Sequence, residues 1–262
     1  MRIKLVMMIL GMIGTLHLVG CGTEGGGSGS SGASDSSFSL SSSQSRGGST
    51  ARFTIVDNFL YTLSGSKIEV FNIAQPSDPK SWSEINVEWN IETLFAHNNN
   101  LFVGSTTGVF IYDINSPAFP QFKSQFRHLR NCDPVVAQGD YAYVTLRNTN
   151  LCRGGTLNQL DILDIRNIAA PKLVKSYPMQ APYGLAIDGR NLFICDGSSG
   201  VKLFDVQDTL NMQFKDQIDT VVCNDLIAQN HLLITTGESG IVQLDYLNIP
   251  MTVLSKIKVG AG

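Results

Sequence analysis

The chain has 262 residues, of which 43% are hydrophobic and 16% charged, and its formal net charge is −3. Nucleic-acid-binding proteins usually carry a clustered basic excess that this composition lacks, so we expect no nucleic-acid partner. The 25 glycines and the few charged residues argue against a coiled coil or a long helix. The length allows one large or two small domains with a sizeable hydrophobic core.

The N-terminus resembles the export signal of a bacterial lipoprotein. Arg2 and Lys4 precede a mostly apolar run over residues 5–20, and no charged stop follows. Such a short run barely spans a bilayer, so we expect cleavage. Residues 18–21 (LVGC) are similar to a lipobox, which implies that residues 1–20 are the signal peptide and that Cys21 is lipidated, palmitate being one expected acyl chain. An ordinary signal peptide with a cysteine at the cut is the alternative.

Residues 21–50 are predicted to comprise the lipidated cysteine and a Gly/Ser-rich tether. Residues 22–50 contain 8 Gly and 12 Ser, too little apolar surface to offset the entropy of ordering them. By the lipoprotein resemblance, Gly22 after the cysteine favours the outer membrane. We therefore expect a protein attached to the cell envelope by its lipid, facing either the periplasm or the cell surface.

From Phe53 onward the sequence repeats. An apolar strand ending in Asp or Asn recurs five times, with spacings of 41, 51, 41 and 40 residues between its last positions. A second apolar strand precedes each of these, and two further short strands flank the pair. The equivalent end positions are Asn72, Asp113, Asp164, Asp205 and Asp245.

A period near 41 residues with four strands per unit is typical of a β-propeller. The sequence therefore predicts an all-β, five-bladed propeller over residues 51–262 with almost no helix. The predicted blades cover about 51–90, 91–131, 132–181, 182–222 and 223–262. The pattern resembles the LVIVD-repeat family, most clearly in YAYVT, LDILDI and the segment from 169 to 189. That resemblance implies a propeller and no settled activity.

The repeated Asp or Asn is expected to cap the turn that follows its strand, by accepting a backbone N–H. All five units begin and end with the same strand type, so no strand would be exchanged between the termini. Ring closure would then depend on the first and last blades packing together. An open or dimeric arrangement is the alternative.

Four cysteines of the propeller fall on the face where the first strand of each blade begins. An exported protein occupies an oxidising compartment, so pairing is expected. We predict Cys132–Cys152, which would hold an insertion in the third unit, and Cys195–Cys223, which would join neighbouring blades. Free buried thiols are the alternative. No cofactor and no metal are expected, because the chain has no C-x-x-C and its histidines lack ligand spacing.

Ligand-binding candidates cluster near the same face. The arginines Arg127, Arg130, Arg147 and Arg153, together with His128, could form a basic patch that recognises carboxylate, sulfate or phosphate. A solvated loop with scattered charges is the alternative. Aligning the first strands places Glu92, Asp133, Tyr183 and Asn224 or Asp225 at similar positions around the channel mouth.

Catalysis is not expected, since there is no nucleophile elbow, P-loop or H-E-x-x-H motif. The competing hypothesis is an envelope enzyme acting on polysaccharide, with Glu92 and Asp133 as the carboxylate pair. The sequence favours a lipid-anchored binding or scaffolding module of the cell envelope. Its partners would be the membrane, through the lipid, and a glycan, an anionic ligand or another envelope protein.

Overall fold

The computed structural model describes residues 48–87, 90–127, 134–148 and 158–259. They form twenty strands and two 3₁₀ turns, Gly197–Ser199 and Thr209–Asn211. Blades 1 and 2 contain β1 (Phe53–Val56), β2 (Phe59–Ser64), β3 (Lys67–Asn72), β4 (Lys80–Asn86), β5 (Ile91–His97), β6 (Asn100–Ser105), β7 (Gly108–Asp113) and β8 (Gln121–Arg127). Blades 3 and 4 contain β9 (Val135–Gln138), β10 (Tyr141–Leu146), β11 (Gln159–Asp164), β12 (Lys172–Pro178), β13 (Pro182–Asp188), β14 (Asn191–Asp196), β15 (Val201–Asp205) and β16 (Gln213–Ile218). Blade 5 contains β17 (Asp225–Gln229), β18 (Leu232–Gly237), β19 (Gly240–Asp245) and β20 (Thr252–Ile257).

Each blade is a four-stranded antiparallel sheet whose strands lie in chain order. The first strands of successive blades contact one another, which places β1, β5, β9, β13 and β17 on the inside and the fourth strands outside. The five-bladed propeller predicted from the repeat period is therefore confirmed. Among the described residues, no helix is long and apolar enough to cross a membrane.

The repeated Asp or Asn at the end of each third strand caps the following turn, as predicted. In every blade a side-chain oxygen of this residue accepts the backbone N–H two positions later, at 2.7–3.0 Å. The donors are the N–H groups of Ala74, Asn115, Arg166, Gln207 and Leu247. The residue type is thus explained by turn geometry rather than by a ligand.

Packing between the blades is not the same all the way round. Strands β5, β6, β7, β10 and β14 are buried on both faces, whereas β1 and β17 bury one face and expose the other. Three hydrophobic clusters join blade 1 to blade 2, blades 2 through 4, and blade 4 to blade 5. None of these clusters of described residues joins blade 5 to blade 1.

The segment before β1 connects the two ends of the propeller instead. Ser49 is fully buried, and its Oγ accepts the N–H of Leu185 at 2.7 Å and lies 3.3 Å from Oδ1 of Asp225. The carbonyl of Ala51 accepts the N–H of Leu94 at 2.8 Å. Residues 48–50, which the sequence assigns to the tether, thus pack inside the propeller, because Gly48 and Ser49 are small enough to lie against the inner strands. The remainder of the predicted signal peptide and tether lies outside the described residues.

Candidate functional site

The described polar residues of the propeller mouth lie where the inner strands begin. We use the name "mouth" for Arg52, Glu92, Arg147, Tyr183 and Asp225. Arg52 immediately precedes β1, Glu92 is the second residue of β5, Tyr183 the second of β13, and Asp225 the first of β17. Arg147 follows the end of β10, the neighbour of the inner strand β9. Antiparallel pairing brings the end of a second strand to the same edge as the start of the first.

Arg147 and Tyr183 form the best-defined contact of the mouth. The guanidinium carbon of Arg147 lies 3.6 Å from the centre of the Tyr183 ring, a cation–π geometry. Thr145 fixes the backbone of Tyr183, because its Oγ1 donates a hydrogen bond to the Tyr183 carbonyl at 2.6 Å. Blade 3 therefore positions an arginine plane over an aromatic ring of blade 4.

Glu92 lies within the electrostatic influence of two arginines. Burial raises the pKa of its carboxyl above the usual value, and the guanidinium groups of Arg147 and Arg52 oppose that rise. The side chain is only partly exposed. Blades 1, 2 and 3 thus contribute a carboxyl and two guanidinium groups to the mouth.

Asp225 is enclosed rather than open. Its Oδ1 lies within hydrogen-bonding distance of Ser49 Oγ and of the Thr50 N–H at 3.4 Å. A Cβ on Gly48 would lie 2.0 Å from Oδ2, and one on Gly184 would lie 2.4 Å from Oδ1. Burial raises the pKa of this carboxyl, and these hydrogen bonds moderate the rise. Asp225 therefore anchors the N-terminal segment.

The predicted bridge between Cys195 and Cys223 is confirmed. The two residues form a disulfide with Cα atoms 5.5 Å apart, and both are buried in the cluster that joins blades 4 and 5. Cys195 lies in β14 and Cys223 in the segment that enters β17. The predicted pair Cys132 and Cys152 lies outside the described residues.

Only two arginines of the predicted basic patch, Arg127 and Arg147, lie within the described residues. Arg127 ends β8 and its Nε donates to the Gln125 side chain at 2.8 Å, while Arg147 takes part in the mouth. His128, Arg130, Asp133 and Arg153 lie outside the described residues. Within the described part of the chain, no group of three or more His, Cys, Asp or Glu side chains is arranged to hold a metal ion.

Two contributors were missed at the sequence level. The hairpin registers align Arg52 with Thr93 and Asp225, one position after the one that Glu92 and Tyr183 occupy, so the alignment that selects Glu92 and Tyr183 does not select Arg52. Ser49 lies in a segment whose composition matches the tether, and no local signal separates the two. Its burial depends on partners 136 and 176 residues away in the chain.

Comparison with solved structures supports the fold. The chain is similar to a protein from Lactobacillus plantarum, with a TM-score of 0.58 and 14% identity over 76% of this chain and 67% of that one. It is similar to AztD from Citrobacter koseri, with a TM-score of 0.56 and 12% identity over 78% of this chain and 61% of that one. It is also similar to a luciferin-regenerating enzyme, with a TM-score of 0.54 and 13% identity over 83% of this chain and 76% of that one. This chain therefore spans less than two thirds of AztD, and these identities indicate a shared fold alone.

Sequence comparison is more limited. No curated protein matches the chain. A family model, that of the LVIVD repeat, matches residues 130–153 and 154–178. These matches cover most of the predicted third blade, where the repeat pattern is clearest in the sequence. The chain is thus a five-bladed β-propeller that carries LVIVD repeats at residues 130–178.

Proposed function

We propose that the protein is a lipid-anchored binding module of the cell envelope and that its mouth binds an anionic glycan. The observation that carries the proposal is the stacked pair of Arg147 and Tyr183 beside Glu92. Three blades contribute these side chains, so the rigid sheets fix their spacing.

The chemistry of the mouth suits a uronic-acid unit. The guanidinium of Arg147 can form paired hydrogen bonds with a carboxylate, and Arg52 adds a second positive charge nearby. The Tyr183 ring holds the Arg147 guanidinium over its face and so orients it, and Glu92 can accept hydrogen bonds from sugar hydroxyls. Scattered surface arginines would lack the aromatic partner and the carboxyl.

Ligand binding is tested by titrating galacturonic-acid oligosaccharides into the detergent-solubilised full chain, with maltotetraose as the neutral probe. We expect binding of the anionic probe only, and an affinity loss of about tenfold or more for Arg147→Ala, the range for a hydrogen bond to a charged group. Tyr183→Leu should also weaken binding, because it removes the ring.

The control is Lys175→Ala. Lys175 lies 5.7 Å from the Tyr177 ring on β12, so this variant removes a comparable cation away from the mouth. It should bind as the parent does. Equal binding of both probes, or full affinity in Arg147→Ala, would contradict the assignment.

Membrane attachment is a separate part of the proposal and rests on the basic start, the apolar run and LVGC at residues 18–21. Several acyl chains on Cys21 would give stable anchoring. By the lipoprotein resemblance, Gly22 after the lipidated cysteine would favour the outer membrane. Fractionation of cells should place the parent in the membrane pellet, and Cys21→Ser should release it. A pelleted Cys21→Ser protein would argue against lipid anchoring.

The competing function is hydrolysis of an envelope polysaccharide. The raised pKa of Glu92 favours it, because a general acid must hold its proton near neutral pH. We expect no activity on aryl glycosides or polysaccharides. Hydrolysis by the parent that disappears in Glu92→Gln would replace the binding proposal with an enzymatic one.

A further inference from the structure

The inner strands end on the side of the propeller opposite the mouth, and there a contact between neighbouring blades repeats. The pairs that close the hairpins between first and second strands align the last residues of the inner strands, which are Val56, His97, Gln138, Asp188 and Gln229. Nε2 of His97 lies 3.1 Å from the carbonyl oxygen of Gly139, in the hairpin turn of blade 3. Nε2 of Gln138 donates to the carbonyl of Gly189, in the hairpin turn of blade 4, at 2.6 Å. One position thus joins blade 2 to blade 3 and blade 3 to blade 4.

His97 differs from Gln138 in its burial. The His97 side chain is 2% exposed, whereas Gln138 is partly exposed at the end of β9. Nδ1 of His97 is buried and has no hydrogen-bond partner among the described residues. Folded proteins rarely leave a buried polar nitrogen without a partner, so this one calls for an explanation.

The surroundings of the His97 ring suit its neutral forms and not its cation. A hydrogen bond to the Gly139 carbonyl places the proton on Nε2, and Nδ1 is then a bare acceptor. Nδ2 of Asn98 lies 2.9 Å from the same Nε2, which fits the other neutral form, with the proton on Nδ1. The cation carries hydrogens on both nitrogens. It therefore combines a positive charge with a buried Nδ1–H that no described residue accepts.

No described carboxylate compensates for a positive charge on this ring. The strands in closest contact with β5 are β1, β2, β6 and β9. The titratable groups on β5, on these strands, on their hairpin turns and on the next strand β7 are Asp57, Tyr61, Glu92, Tyr112, Asp113 and Asp140. Asp113 caps its own turn and pairs with Lys123 at 3.5 Å. Within the described part of the chain, none of the carboxylates forms an ion pair with His97.

The electrostatics agree with this geometry. Burial lowers the pKa of His97 below its ordinary value of 6.5, and the hydrogen bond to Gly139 opposes that fall. The folded protein therefore holds this proton more weakly than the unfolded chain does. The contribution of His97 to the free energy of unfolding is complete above about pH 6.5 and is lost as the pH falls through the folded-state pKa.

We propose that His97 makes the contact between blades 2 and 3 acid-sensitive: the neutral ring binds the hairpin turn of blade 3, and protonation releases that turn. The bond to Gly139, the unpartnered Nδ1 and the lack of a carboxylate partner among the described residues together support this role. Gln138 makes the equivalent contact with a side chain that does not titrate. Two adjacent contacts of the same kind therefore differ in their response to acid.

The test compares the parent with His97→Gln, both as full chains in detergent, by urea unfolding at pH 7.5 and pH 5.0. Glutamine can make the same bond, as Gln138 does, without titrating. We expect the unfolding equilibrium constant of the parent, divided by that of the variant, to rise on acidification. Its ceiling is about thirtyfold, for a group of ordinary pKa 6.5 that stays neutral in the folded protein. An unchanged ratio would overturn the proposal.

His231→Asn is the matched control. His231 is exposed in the hairpin turn of blade 5, and its backbone has a positive φ that asparagine tolerates. This variant should keep the pH dependence of the parent. A loss of that dependence in His231→Asn as large as in His97→Gln would assign the effect to histidines in general and overturn the role of His97.

Hydrogen exchange in the parent alone gives a second readout that needs no variant at position 97. After correction for intrinsic rates, exchange in the blade 3 hairpin, residues 138–141, should gain more between pH 7.5 and pH 5.0 than exchange in the blade 4 hairpin, residues 188–191. The first hairpin is bound by His97 and the second by Gln138. Equal gains in the two hairpins would contradict a local acid-sensitive contact.

Discussion

Ser49 and Asp225 lie 176 positions apart in the chain, yet the hydroxyl of one is 3.3 Å from the carboxyl of the other. Ser49 lies in the segment that leads into the first blade, and Asp225 is the first residue of the inner strand of the last blade. No hydrophobic cluster of the described residues joins these two blades, so this polar contact connects the ends of the propeller. Because Ser49 Oγ also accepts the Leu185 N–H, the same hydroxyl extends the contact to blade 4.

Asp225→Asn should remove a pH dependence of stability. Burial raises the folded-state pKa of Asp225 above its ordinary value of 3.8, so the folded protein holds this proton more tightly than the unfolded chain. The contribution of this group to the free energy of unfolding is therefore complete below about pH 3.8 and declines as pH rises through the folded-state pKa. Asp225→Asn keeps an oxygen acceptor for Ser49 and Thr50. We expect it to be more stable than the parent at pH 7 and equal to it at pH 3.5.

Urea unfolding at the two pH values measures this difference. The matched control is Asp78→Asn, which alters an exposed ion pair with Lys80 and should change stability by less than about 0.5 kcal/mol at either pH. A larger advantage for Asp225→Asn at pH 3.5 than at pH 7 would reverse the assigned sign.

Gly48→Ala should weaken the attachment of the N-terminal segment. A Cβ at this position would lie 2.0 Å from a carboxylate oxygen of Asp225, so the segment or the carboxyl must move. Overpacking of this kind costs about 1–3 kcal/mol. We expect that loss in urea unfolding and faster proteolysis near residue 50. Gly65→Ala is the control for steric room, since a Cβ there meets nothing within 4 Å, although its positive φ carries its own modest cost.

Much of this architecture follows from the sequence alone. The strand-ending Asp or Asn recurs at a nearly constant spacing, and the side-chain hydrogen bond to the next turn explains why. The pair Cys195 and Cys223 was predictable because the repeat aligns one with the end of a second strand and the other with the start of a first.

Other features have no local signal. The burial of Ser49 depends on partners 136 and 176 positions away in the chain. The exposure of Phe53 reflects the lack of a hydrophobic cluster between the first and last blades among the described residues, and no repeat of four strands encodes either feature. The cation–π contact of Arg147 with Tyr183 depends on a side-chain geometry that the alignment of strands cannot supply.

Removal of the Cys195–Cys223 disulfide should destabilise the contact between blades 4 and 5. The bridge closes a loop with a sequence separation of 28, for which the chain-entropy relation gives about 3.5 kcal/mol. The double variant Cys195→Ala/Cys223→Ala also loses two buried sulfurs from that cluster. We therefore expect a loss at least as large as that seen on reducing the parent. An unchanged urea midpoint after complete reduction would contradict a stabilising role.

Asp196 offers a buried charge whose removal should be costly. It is fully buried, accepts the N–H groups of Gln180 and Ala181 at 2.8–3.2 Å, and pairs with Lys202 Nζ at 2.6 Å. Asp196→Ala would leave the Lys202 ammonium, itself mostly buried, without its carboxylate, and breaking a buried pair costs about 3–5 kcal/mol. Asp196→Ala/Lys202→Met should recover part of that loss, because it removes the unpaired charge as well. Urea unfolding of both variants beside the parent measures the recovery; equal losses would show that the N–H contacts, rather than the ion pair, account for the effect.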